Sequence, residues 1–185
     1  MTFKLLSKAA LALAAMGLCL SAASAAYKSE YKLSVVPGAS SGWGQTATFF
    51  ADCVRQKSNG RINIKPYFGA QLMAGKQTSE LLLVRRGAID FALASTINWS
   101  PQIKELNLTA LPFFVANNPD RYKAIDAIEA GKSGKMLEKA IEKTGVKFLG
   151  WSENGFRELT TSKGPIEKPE DMKGMKLRVC GTPIF

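Results

Sequence analysis

Two arginines occupy strand-like stretches in the last part of the chain. Arg157 lies in the stretch FREL and Arg178 in the stretch KLRV, each beside apolar residues. A guanidinium in such a setting needs a partner, because burying a lone charge is costly. Its planar fork can bind a ligand carboxylate through two hydrogen bonds, so both arginines are candidate carboxylate-binding residues. The alternatives are plain solvation or an ion pair with a nearby carboxylate: Glu153, Glu158 or Asp171.

The tryptophans form a second group of candidates. Trp43, Trp99 and Trp151 each fall at or just past the carboxyl end of a predicted strand. Ligands of open α/β sheets bind at that edge, and an aromatic floor suits a small organic ligand. We therefore take Trp43, Trp99 and the neighbouring Asn98 as candidate binding residues. The alternative is that each tryptophan simply fills the end of the sheet.

A glycine- and serine-rich turn precedes the first predicted helix. Residues 37–44 read PGASSGWG, and Ser40 lies at their centre. Backbone N–H groups at the start of a helix favour an anion, which makes Ser40 a candidate binding residue. The alternative is a plain turn in which Ser40 or Ser41 caps the helix.

The residue types that most enzymes and metal sites need are missing. The chain contains no histidine, which excludes Ser-His-Asp and Cys-His nucleophile pairs and histidine metal sites. The glycines match neither a dinucleotide fingerprint nor a P-loop, and no G-x-S-x-G occurs. We expect no cofactor, no metal and no enzymatic activity. Two other classes stay open: a secreted enzyme that uses carboxylates, lysine or Cys180, and a basic module that binds the cell envelope.

The first 25 residues predict a cleaved secretory signal. Lys4 and Lys8 give a basic start, residues 9–20 are apolar, and residues 23–25 are small. The apolar run is too short to span a bilayer as a helix of the mature protein. We therefore expect export to the periplasm.

The chain is basic, but its positive charges are not clustered. The net charge is +10, of which Lys4 and Lys8 leave with the signal. A positive surface steers anions towards the protein. The lysines are scattered, however, and no block of five or six like charges occurs. We therefore expect no nucleic-acid partner.

Hydrophobic periodicity predicts alternating strands and helices in the front of the chain. Strands are predicted at 31–36, 61–67 and 89–94, with helices at 46–57 and 77–86. This βαβαβ order predicts a parallel sheet with helices on both faces.

The rest of the chain predicts more helices and then strands. The helices are at 103–111, 119–130 and 135–143, the strands at 146–151, 156–161 and 175–179, and one helical turn is at 169–171. The late strands cannot form an independent core. We divide the chain into a signal at 1–25, a first α/β lobe at 26–150 and the start of an incomplete second lobe at 151–185. We expect it to be the front portion of a larger two-domain protein.

With these residues in place, the chain resembles the DctP-type solute-binding proteins of TRAP transporters. The likeness runs from about residue 31 to 185 and is most specific at 87–91 (GAIDF), 111–113 (LPF) and 151–185. The resemblance implies a two-lobed periplasmic-binding-protein fold of class II type, here truncated in its second lobe. It implies a receptor that closes around an organic-acid carboxylate.

The resemblance also implies roles for particular residues. Arg178 matches the family arginine that pairs with the ligand carboxylate, and Arg157 matches a second arginine used by some members. Ser95 matches a position that contacts the rest of the ligand, and Asn154, which opens the stretch NGFR, is a further candidate. Cys180 departs from the family pattern, which commonly has a proline there.

The implied function is binding without chemistry. A small hydroxy, keto or aromatic monocarboxylate would be captured in the periplasm and delivered to the subunits of a TRAP membrane permease. The receptor is expected to be a monomer when complete. Cys53 and Cys180 are expected to be free thiols. A bridge needs Cα atoms within about 7 Å, and Cys53 is predicted on the first helix whereas Cys180 follows the last predicted strand, in the second lobe.

Overall fold

A parallel three-stranded sheet lies at the centre of the structure. The structure is a computed structural model that describes residues 27–155, 157–182 and 184. Strands β1 (Tyr31–Val35), β2 (Ile64–Tyr67) and β3 (Phe91–Leu93) are arranged in the order β2-β1-β3, and both pairings are parallel. The three strands predicted in the front of the chain are confirmed, each with shorter ends.

One face of the sheet is covered by helix α1 (Gly42–Lys57). Its Ala47 and Ala51 pack against Leu33 and Val35 of β1 and form a buried apolar cluster. The helix begins four residues before the predicted start. Ser41 caps it, and its Oγ accepts a hydrogen bond from Gly44 N at 3.1 Å.

The other face is covered by shorter helices. They include α2 (Glu80–Arg85), α3 (Thr96–Trp99) and 3₁₀ turns at Gln71–Met73, Gln77–Ser79 and Lys104–Ala110. Helix α4 (Arg121–Ala130) has no buried residue and packs on α5 (Lys132–Glu142), whose Leu137 joins the core on this side. Leu81, Leu106 and Leu137 meet in a second apolar cluster against β3. Helices on both faces of the sheet are thereby confirmed. The helix predicted at 103–111 forms at Lys104–Ala110 as a 3₁₀ helix and not as an α-helix. Leu106 N, for example, donates to the carbonyl of Ile103, three residues earlier.

The three strands predicted after residue 145 do not form. Residues 146–151, 157–161 and 175–179 join no sheet in the part of the chain that the structure describes, and Phe156 lies outside that part. A strand exists only through hydrogen bonds to a neighbour, and here the described residues provide none. Four of their apolar side chains are exposed (Leu149, Leu159, Leu177 and Val179), whereas Val146, Phe148 and Trp151 are half-buried against the second apolar cluster. The helical turn at Pro169–Met172 is confirmed as a 3₁₀ turn.

Three other sequence expectations bear on the described residues. No described helix is long and apolar enough to cross a membrane. No described group of His, Cys, Asp or Glu could hold a metal ion. Cys53 is half-buried on α1, Cys180 is buried, and neither is bridged. The signal predicted for residues 1–25 lies outside the described residues.

Candidate functional site

The carboxyl ends of β1 and β3 bring two candidate loops to one edge of the sheet. Val35 and Leu93 are register partners, so the loop after β1 and the turn at Ser95 leave the sheet side by side. Ser95 is half-buried and caps α3 with its carbonyl, which accepts hydrogen bonds from the backbone of Asn98 and Trp99. Its hydroxyl makes no hydrogen bond to any described residue. That hydroxyl is free to contact a ligand.

Ser40 lies in the neighbouring loop at the surface. Its side chain is exposed, and its carbonyl accepts a hydrogen bond from Gln45 Nε2 at 3.3 Å. Ser41, not Ser40, is the helix cap, and its Oγ also donates to Gly38 O at 2.6 Å. The Ser40 hydroxyl therefore takes no part in capping α1.

Two candidates that lie far apart in the sequence meet in the structure. Trp43 Nε1 donates a hydrogen bond to Asn154 Oδ1, across 111 residues of sequence. The Trp43 ring packs on the apolar cluster beneath α1, whereas Asn154 is exposed. This bond brings Asn154, the first residue of the stretch NGFR, to the first turn of α1.

Gly44 fixes the start of α1 beside Trp43. A Cβ at this position would lie 2.4 Å from Ala39 O and 2.6 Å from Gly38 O, both backbone atoms that cannot rotate away. We expect Gly44→Ala to destabilise the protein by about 1–3 kcal/mol and to displace the loop that carries Ser40. Chemical denaturation measures this change.

The control for this substitution is Gly42→Ala in the same helix. A Cβ at Gly42 meets nothing within 4 Å. Alanine there is expected to leave stability unchanged or to raise it slightly, because alanine restricts the unfolded chain. Equal effects of the two substitutions would show that the close approach at Gly44 does not govern the loop.

Asn98 and Trp99 lie at the predicted edge but face the protein interior. Asn98 Nδ2 donates to Gln77 Oε1 at 3.0 Å, and Trp99 Nε1 donates to Glu80 Oε2 at 3.1 Å. Both side chains are buried. For Trp99 this geometry favours the alternative in which the ring fills the end of the sheet.

Sequence reasoning missed Glu80. This residue is completely buried, and its carboxyl accepts hydrogen bonds from Ser34 Oγ at 2.6 Å and from Trp99 Nε1. Burial raises the pKa of the Glu80 carboxyl to about 7, and the two hydrogen bonds oppose that rise. The signal in the sequence was Ser34, a polar residue between the apolar Leu33 and Val35 of the central strand.

The two candidate arginines are exposed and have no carboxylate partner among the described residues. Arg178 Nη1 lies 3.9 Å from Cys180 Sγ, and Arg157 has no described polar contact. The alternative of an ion pair with Asp171 is not realised, because Asp171 accepts from the backbone of Glu167 and Lys168. Neither guanidinium is neutralised by the described part of the chain.

The segment after Arg178 is fastened to the sheet domain. Ser100 Oγ donates to Thr182 Oγ1 at 3.0 Å, and Thr182 Oγ1 donates to Asn107 Oδ1 at 2.9 Å. Ser100 and Thr182 are buried. We call this arrangement the Thr182 clasp, and nothing in the sequence pattern indicated it. It anchors the chain four residues past Arg178.

Comparison with known proteins decides the family. The family model of DctP, described as bacterial extracellular solute-binding protein, family 7, matches residues 33–185. The chain belongs to this family. The resemblance inferred from the sequence is confirmed, and so is the two-lobed α/β fold class, because the similar solved structures are periplasmic solute-binding proteins of TRAP transporters.

Relatives of this DctP-family chain hold or are named for different acids. A structure from Ralstonia eutropha H16 with bound (S)-2-acetolactate is 56% identical, with a TM-score of 0.79, over 85% of this chain and 49% of that one. A structure from Sulfurospirillum deleyianum with bound succinate is 26% identical, with a TM-score of 0.76, over 86% of this chain and 49% of that one.

A curated relative carries a third ligand in its name. The 2,3-diketo-L-gulonate-binding periplasmic protein YiaO of Escherichia coli K12 is 30% identical over 135 residues, which cover 73% of this chain and 39% of that protein. The chain thus spans less than half the length of each of these three relatives.

Proposed function

We propose that this DctP-family protein is a periplasmic receptor that binds a small organic acid by its carboxylate and delivers it to a TRAP-type membrane permease. One observation carries the proposal: a family member that is 56% identical over 85% of this chain holds the carboxylic acid 2-acetolactate. The exposed, unneutralised guanidinium of Arg178 supports it, since that residue matches the family's carboxylate-pairing arginine.

We propose a hydroxy- or keto-substituted monocarboxylate as the ligand class. The Ser95 hydroxyl can donate to a keto group or accept from a hydroxyl group. Neither the loop after β1 (residues 36–41) nor the turn that carries Ser95 (residues 94–100) contains an Asp or Glu that could hold an amino group. A site of this kind rejects ligands that leave its polar groups unpaired.

The proposed mechanism is closure around the ligand without a chemical step. Arg178 would hold the carboxylate through two parallel hydrogen bonds, and Ser95 would contact the other end of the ligand. The first lobe would comprise residues 26–150, and the second would begin at residue 151. Hinged closure of two such lobes gives a form that a permease can recognise. We propose that the receptor is a monomer and has no enzymatic activity.

Thermal unfolding of the full-length protein with a panel of acids tests this function. The panel contains 2-acetolactate, lactate, pyruvate, succinate and glucuronate, with acetoin as the matched control because it is 2-acetolactate without the carboxylate. We expect one or more acids to raise the unfolding temperature and acetoin to leave it unchanged. No shift with any acid, or an equal shift with acetoin, would contradict carboxylate recognition.

The two alternative classes give different results in the same preparation. A secreted enzyme would convert an acid of the panel, which proton NMR of the mixture detects. A basic envelope-binding module would bind heparin in low salt and lose it steeply as salt rises.

A further inference from the structure

Four lysines lie in line along the outer face of helix α5. They are Lys132, Lys135, Lys139 and the C-terminal cap Lys143, and all four are exposed. Successive members are three, four and four residues apart, which is the spacing that keeps side chains on one face of an α-helix. We call these four residues the lysine row. Lysines that are scattered in the sequence are thus aligned by the helix.

The lysine row points away from the core. Leu137, Ala140 and Ile141 of the same helix are buried in the second apolar cluster. At 3.6 residues per turn, Lys139 lies about 160° around the helix axis from both Leu137 and Ile141. The core therefore holds α5 by one face and leaves the lysine row on the opposite face, towards solvent.

No described carboxylate neutralises the lysine row. The ion pairs of the described residues include none of its four members. Of the two acidic residues of α5, Glu142 pairs with Lys147, beyond the helix, and Glu138 forms no described ion pair. Asp126 and Glu129 of the neighbouring α4 pair with none of these lysines either. Like charges three or four residues apart repel and destabilise a helix, and an anionic partner would relieve that repulsion.

The dimensions of the lysine row suit an extended anionic surface. From Lys132 to Lys143 it is about 16 Å long, at a rise of 1.5 Å per residue. Its neighbours are about 5–6 Å apart along the axis, which is less than the screening length of about 8 Å at physiological salt, so the charges act together. A single small anion touches one or two lysines, whereas a flat surface can meet all four. Lysine also lacks the planar fork of arginine and suits anions of varied geometry.

We propose that the lysine row binds the anionic phospholipid headgroups of a bilayer surface. A receptor that delivers its ligand to a membrane permease works beside a bilayer, and this contact would hold it there. Because the apolar face of α5 is buried in the core, the helix does not insert. The attraction is electrostatic, and it is therefore reversible and sensitive to salt. The inference goes beyond the proposed function and takes from it only the membrane setting.

Sedimentation of the full-length protein with lipid vesicles tests the inference. One set of vesicles contains phosphatidylcholine with about one third phosphatidylglycerol, and the other contains phosphatidylcholine alone. We expect binding to the first set only, and loss of that binding as sodium chloride rises from about 50 to about 300 mM. Equal binding to both sets, or binding that salt does not weaken, would overturn the inference.

The decisive variant is the pair Lys135→Gln and Lys139→Gln. Removal of two charges from the middle of the lysine row should weaken binding to the anionic vesicles by about 10-fold to 30-fold. Glutamine has nearly the helix propensity of lysine, so the unfolding temperature should not fall.

The matched control is the pair Lys57→Gln and Lys76→Gln. It removes the same net charge from two exposed positions outside α5 and should weaken binding by about threefold at most. Equal losses in the two pairs would show that binding follows net charge and not the lysine row, which would overturn the inference.

Two further pairs of substitutions complete the test. Arginine at both Lys135 and Lys139 keeps the charge and should preserve binding; a loss as large as that of the glutamine pair would contradict an electrostatic contact. Should the glutamine pair not fold, Lys132→Gln with Lys143→Gln replaces it and should weaken binding to the same degree.

The outcomes separate this inference from the proposed function. Vesicle binding that depends on the lysine row, with no response to any acid of the panel, would support the inference and contradict the receptor function. Acid binding without binding to anionic vesicles would overturn the inference, leave the receptor function intact and point to an acidic protein surface as the partner of the row.

Discussion

Arg178→Ala is expected to abolish acid binding at ordinary ligand concentrations. Loss of one partner of a desolvated charge pair costs about 2–5 kcal/mol, which corresponds to a rise in Kd of about 30-fold or more. The Arg178 side chain has no carboxylate partner in the described chain, so its removal breaks no internal ion pair. The unfolding temperature without ligand should therefore stay close to that of the wild type. Calorimetry and thermal unfolding on the full-length protein measure the two quantities.

Two further variants serve as comparisons for Arg178→Ala. Arg178→Lys should also bind poorly, because an ammonium group cannot form the two parallel hydrogen bonds of a guanidinium. Lys176→Ala removes an exposed positive charge from the same stretch and should change Kd little. Near-wild-type affinity in both Arg178 variants would remove this residue from the binding site.

The ligand-free protein is expected to lose about 3 kcal/mol of stability as the pH rises from 4.5 to 7, through Glu80 alone. The pKa of this carboxyl is about 7 in the folded protein, against an ordinary value of 4.5. Between these values the folded state keeps the proton that the unfolded state has released. The stabilising contribution is thus fully present below pH 4.5, is lost as the pH rises through 7, and does not change further above that.

Glu80→Gln isolates this contribution. Denaturation curves of the wild type and the variant, measured from pH 4.5 to 8.5, give a difference that removes the effects of the other carboxyl groups. The difference should favour the wild type progressively less as the pH rises and become constant above about 7.5. A difference that is the same at every pH would mean that Glu80 has an ordinary pKa despite its burial.

Local sequence patterns were sufficient for the first βαβαβ segment. The apolar spacing of residues 31–36 and 46–57 indicated a strand and a helix because both elements bury one face against a partner within the same segment. The same reasoning failed for residues 146–151 and 175–179. Their β-forming residues predict an extended backbone, but pairing depends on a second strand that local sequence does not specify.

The sequence did not predict which way Asn98 and Trp99 face. The family resemblance led to Ser95, and the rule that ligands lie at the carboxyl ends of parallel strands led to Asn98 and Trp99. It did not show that α3 begins immediately after Ser95, and this helix turns Asn98 and Trp99 towards Gln77 and Glu80. Side-chain direction followed from a four-residue helix that has no clear sequence pattern.

Glu80 could not have been found from its sequence neighbourhood. It stands at the start of an apolar helix, where an acidic residue is ordinarily a surface residue that interacts with the helix dipole. Its burial results from β1, α2 and α3 meeting around it, and that is a property of the tertiary structure.

The Trp43–Asn154 bond and the Thr182 clasp have a mechanical consequence when they are considered together. They attach the chain to the sheet domain on both sides of the stretch that carries Arg157 and Arg178. A segment that is tied at both ends cannot swing away from its support as a free tail would. Arg178, four residues before Thr182, is therefore tethered to the sheet domain although it belongs to no described helix or strand.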